Sequence, residues 1–177
     1  MHLEFQGVMN SSTSTLGEAN ALKCELAAEV LRSSGSLRLC VTGWSMLPTV
    51  WPGDTLVIER MSNDAASKGE IVLFGRDRRL FAHRVVAKRK PHDAAILTRG
   101  DAMPTADPPV PESHVLGRVS FIVRKGRCIE PSRRMRLSKR AVAAVLRRSS
   151  SAARVVVGVR SMLQKLRGPS SGPTLQF

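Results

Sequence analysis

Ser45, His83, Asp101 and Asp107 are the residues of this chain whose types could share a proton relay. Ser45 lies in GWSMLPTVWPGD, residues 43–54, between Trp44 and Met46 and close to prolines at 48 and 52. A serine hydroxyl is a poor nucleophile until a base takes its proton. Histidines stand only at 2, 83, 92 and 114. Of these, His83 falls inside the apolar run FAHRVVA, whereas His92 sits in the turn-like KPHD. Asp101 and Asp107 belong to LTRGDAMPTADPP, a loop after a β-run. Each piece alone has an ordinary reading: an apolar turn, a satisfied core histidine, a Gly-Asp turn. Together they match a nucleophile, a base and an orienting acid, a set defined by geometry rather than by chain order.

Such residues need a rigid frame, and the pattern predicts a mainly β one. LRLCVT (37–42), TLVIE (55–59), EIVLF (70–74), LFAHRVVA (80–87), AAILT (94–98) and LGRVSFIV (116–123) are rich in β-branched or aromatic residues and separated by turn residues. Ahead of them, Thr15-Leu-Gly-Glu18 has the form of a capping box, and Leu22, Leu26, Ala27, Val30 and Leu31 follow at helical spacing. A short helix over about 16–33 is expected there. After Pro131 a basic amphipathic helix is expected over about 138–167, broken near Ser149–Ser151, with Val142, Val145 and Leu146 on its apolar face and Arg140, Arg147 and Arg154 opposite. The domain reading is a disordered or artificial leader at 1–15, a catalytic body at 16–130, a basic helical segment at 131–168 and a flexible tail at 169–177.

Charge divides the chain in the same place. Residues 1–120 hold 14 Lys+Arg against 13 Asp+Glu, whereas 121–177 hold 14 against Glu130 alone. That basic arm is expected to seek an anionic membrane surface through residues 138–167. Nucleic acid is the weaker partner, since there is no Tyr and only 4% aromatic content to stack bases. Cys24, Cys40 and Cys128 suit neither a disulfide framework nor a zinc site, and no metal or cofactor is expected. No apolar run reaches the length of a membrane span and no secretory signal opens the chain, so a cytoplasmic or membrane-peripheral location is expected.

GWSMLPTVWPGD, KGEIVLF, FAHRVV and LTRGDAMPTAD, in this order, resemble the consecutive boxes of the type I signal peptidase family, and in particular its histidine-using branch found in endoplasmic-reticulum and archaeal enzymes. The resemblance covers about residues 36–123. It implies a β-rich body with a hydrophobic groove, Ser45 as nucleophile and His83 as general base. It also implies Asp107 as orienting acid, with Asp101 supporting. Trp44, Met46 and Pro48 would then contact the substrate, a leader or preprotein cut after small residues. Members of that family ordinarily carry a transmembrane anchor ahead of the serine, and none is evident here. Self-cleaving repressors of the SOS type share the serine box and the general β-core but use a Ser–Lys dyad, and position 83 is not lysine. The other functions considered are a peptide-binding module of the same fold without turnover and a nucleic-acid-binding protein acting through the basic segment.

Overall fold

The computed structural model describes residues 7–61, 66–89, 95–134 and 137–148. A helix, α1 (Gly7–Ser34), leads into β1 (Ser36–Cys40), β2 (Thr55–Arg60), β3 (Ile71–Arg76), β4 (Arg79–Arg89), β5 (Ala95–Arg99) and β6 (Val110–Pro111). A 3-10 turn at Glu112–His114, β7 (Val115–Arg124), β8 (Arg127–Ile129) and α2 (Leu137–Arg148) complete the described chain. All pairings are antiparallel. The sheet runs β1-β2-β7-β3-β4-β5-β6, with β8 paired to the far end of β7. The fold is mainly β, with a helix at each end of the described chain, as the residue pattern predicts.

The sheet's principal core packs Leu56, Ile58, Ile71, Leu73, Val119 and Ile122 with Leu31 of α1. Val72, Phe74, Val85, Ile96 and Val110 form a second cluster. β2 alternates, with Leu56 and Ile58 buried between half-buried neighbours. β3 instead buries four consecutive residues, Ile71 to Phe74, because it is covered on both faces. β3 and β4 are joined through Asp77 and Arg78, both at positive φ (49° and 57°), the arrangement of a type I′ turn.

The helices differ from expectation in two ways. α1 starts at Gly7, so the Thr15–Glu18 pattern lies inside it rather than at its start. Its inward stripe is Ala27 and Leu31, whereas Leu22 and Leu26 are 65% and 60% exposed. Among the described side chains of α2, Ala143 and Leu146 are buried, and Leu146 packs with Leu47 and Ala102 beside Trp44 and Trp51. Val142 and Val145, predicted to share that face, point outward. A helix of this length satisfies its packing with one i, i+3 pair, leaving the flanking valines uncovered. Residues 149–177, including the remainder of the expected basic helix and the tail, lie outside the described residues, as do His2 and His92. Among the described residues no helix is long and apolar enough to cross a membrane.

Candidate active site

The turn that carries Ser45 is tied on several sides. Within it, Leu47 N–H donates to Trp44 O at 3.1 Å, and Thr49 and Val50 N–H donate to Met46 O at 2.9 Å. The Trp51-Pro52-Gly53-Asp54 turn follows, with Gly53 at φ 86° and Asp54 N–H donating to Trp51 O at 3.0 Å. Pro then Gly at its centre is what a type II turn requires, since the third position needs a positive φ. The buried Asp54 carboxylate accepts from Trp51 N–H at 2.8 Å and from the Arg124 guanidinium at 2.6–3.1 Å. Arg124 also donates to Thr49 O at 2.9 Å, so the end of β7 clamps both flanks of the turn.

Strand β4 brings the histidine to the serine. His83 is 5% exposed, and its ring lies 6.0 and 5.8 Å from those of Phe74 and Phe81, which limit its rotation. Its Nδ1 is 2.7 Å from Asp107 Oδ2 and its Nε2 is 2.9 Å from Ser45 Oγ. Thr98 Oγ1 donates to the same Asp107 oxygen at 2.7 Å, and Asp107 N–H donates to Thr98 O at 2.8 Å. Burial pushes the Asp107 carboxyl up, but the hydrogen bonds from His83 and Thr98, with the charges of His83 and Arg76, outweigh it and hold the group below its ordinary value. An ionised carboxylate accepts only, so Nδ1 must carry a proton. In the neutral ring this leaves Nε2 as the acceptor for the Ser45 hydroxyl. Arg76 donates to Pro108 O at 2.7 Å and so ties the segment just after Asp107 to the end of β3.

Side chains alternate along a strand, so Arg84 faces away from His83. It is 8% exposed, forms a two-pronged pair with Asp101 (Nε to Oδ1 and Nη2 to Oδ2, both 2.8 Å) and donates to Gly69 O and Ser132 O. Thr49 Oγ1 donates to the same Asp101 carboxylate, and Ala102 N–H donates to Ser45 O at 2.9 Å. Gly100 makes this approach possible: a Cβ there would lie 2.6 Å from Ser45 O.

The family described as Peptidase S24-like matches residues 9–120, more than half of the chain and all four proton-relay candidates. The chain belongs to that family. No curated protein matches it. Peptidase S24-like membership gives the chain a serine-peptidase-type fold within the broad signal-peptidase and SOS-repressor superfamily, which is the coarser part of the resemblance read from its sequence boxes. The type I signal peptidase branch is a finer assignment than the family match makes.

Within this Peptidase S24-like body, Ser45, His83 and Asp107 lie in one hydrogen-bonded line. Asp101 does not join it, because Arg84 and Thr49 occupy its carboxylate. The residues expected to contact substrate divide differently. Trp44 is half-buried, but Met46 is 4% exposed within the principal core and Pro48 is also buried. These side chains are used to anchor the turn, and Leu47 and the tryptophans seat α2. Thr49, Arg84, Thr98 and Arg124 were not singled out from sequence. Arg84, a charge in the middle of an apolar strand, was the one with a readable signal.

Proposed function

We propose that the chain is a serine endopeptidase acting by acyl transfer, with Ser45 as nucleophile, His83 as general base and Asp107 as orienting acid. The observation that carries this reading is the continuous line from Ser45 Oγ through His83 to Asp107, at 2.9 and 2.7 Å. His83 Nε2 takes the Ser45 proton as Oγ attacks the scissile carbonyl, and then returns that proton to the leaving amine. Water activated by the same nitrogen hydrolyses the acyl-enzyme. Asp107 stays ionised and stabilises the imidazolium that forms between these transfers. The Ser45 backbone N–H is the oxyanion donor of this reading. The substrate is an extended leader or signal-like peptide with a small residue before the cut. The exposed Val142 and Val145 of α2, together with the basic residues of 121–177, favour attachment to an anionic membrane surface.

The test is mass spectrometry of peptides carrying apolar runs followed by Ala-x-Ala, incubated with the wild type or Ser45→Ala, with and without anionic vesicles. Cuts made by the wild type and absent from the variant are expected, with a gain on vesicles. The intact mass of the chain, followed in parallel, reports any self-cleavage. Peptide binding without cuts in either protein would replace the peptidase with a peptide-binding module.

A further inference from the structure

On the face of β4 and β5 opposite His83, a cavity of about 810 Å3 opens between the strands and α2. Arg84, Arg99, Arg134 and Arg147 line it, and Asp101 is its single carboxylate. Arg84 and Arg99 are direct cross-strand partners, so two guanidinium groups rise side by side from one face of the sheet. Like charges placed directly opposite in an antiparallel pair are destabilising. Asp101 answers the charge of Arg84, and Arg147 donates to the Asp101 backbone carbonyl at 3.0 Å. Arg99 and Arg134 have no carboxylate partner among the described residues. Nor can residues 131–177 supply one, for they contain no Asp or Glu.

We infer that this cavity is a binding site for phosphate groups, with Arg99 and Arg134 as the principal contacts and Arg147 at its rim. Guanidinium forks pair with phosphate oxygens two at a time, and several forks converging from β5, the 131–134 segment and α2 suit a tetrahedral, multiply charged anion. The volume is that of a site for a small organic ligand rather than for one orthophosphate ion. A diphosphate or a phosphate ester therefore fits the cavity better. The small side chains of Ala141 and Ala144 leave the α2 wall open to it. The inference is independent of any reaction at Ser45.

The test uses the full chain and two double variants. Arg99→Gln/Arg134→Gln removes the pocket charges, and Arg38→Gln/Arg79→Gln removes the same charge from exposed strand positions. Circular dichroism checks that each is folded. Binding is measured at constant ionic strength with pyrophosphate in solution, and separately with phosphatidylcholine vesicles with and without phosphatidic acid. The wild type and the Arg38/Arg79 variant should bind, while the Arg99/Arg134 variant binds at least about tenfold more weakly, as expected on losing charge-assisted hydrogen bonds. Selective loss with pyrophosphate identifies a free phosphate ligand; selective loss only with phosphatidic acid identifies a lipid head group. Equal weakening of both variants, or no binding in either arm, overturns the site.

Discussion

Asp107 Oδ2 receives two donors at 2.7 Å, one from the imidazole it orients and one from a threonine that performs no chemistry. Under the proposed mechanism Ser45→Ala and His83→Ala abolish cleavage, and Asp107→Asn lowers kcat by about 10⁴, the scale seen when a triad histidine is held in the wrong tautomer. Thr98→Val leaves the triad atoms in place but removes one support. Its kcat should fall by about tenfold, the worth of one hydrogen bond to a charged group, with KM little changed. The lowered Asp107 value also has a stability sign. A carboxyl held below its unfolded value stabilises fully above about pH 4 and loses that contribution as pH falls through the folded value. Urea midpoints measured from pH 6 down to pH 2 should therefore fall less steeply for Asp107→Asn than for the wild type.

At the scale of elements, the approach of the 100–107 loop to the serine turn depends on Gly100. A Cβ there would meet Ser45 O at 2.6 Å and Met103 Cγ at 2.7 Å. Backbone must move to admit it, so Gly100→Ala should cost about 1–3 kcal/mol by denaturant melts and reduce turnover. The β3–β4 turn offers the opposite case. Asp77 and Arg78 both take positive φ, and replacing them with Asn-Gly should raise the melting temperature without touching the site. Elements of this kind were unevenly legible. The six long strands announced themselves through β-branched and aromatic runs, and His83 was readable as a strand residue for the same reason. β6 and β8, of two and three residues, are too short to leave a period in the sequence. The outward valines of α2 were misread because helical spacing fixes which residues share a face, not which part of that face meets the body. The distance from His83 to either aspartate depends on how the 100–107 loop folds back, and only the tertiary hydrogen bonds of Arg84 and Thr98 separate Asp101 from Asp107.

Among the described residues of the whole molecule, ion pairs on two buried carboxylates fasten the loops around the serine to the sheet: Asp54 with the part-buried Arg124, and Asp101 with the buried Arg84. The second joins β4, the 100–107 loop and the serine turn, and through Gly69 O and Ser132 O it reaches two further segments. Arg84→Leu leaves the Asp101 carboxylate buried without its cation. A loss of about 3–5 kcal/mol is expected in equilibrium unfolding, well above that of an exposed control such as Arg79→Leu. His83 and Arg84 are consecutive residues on opposite faces of one strand, so the identity of each side depends on parity. A residue gained or lost between Phe81 and His83 would turn a permanent cation toward Ser45 and a proton carrier toward Asp101. The extra residue that β4 does carry, at the register shift between Val85 and Ala87, comes after both. Length variation in this hairpin is therefore tolerable only in the Asp77–Arg78 turn, beyond Val85, or two residues at a time.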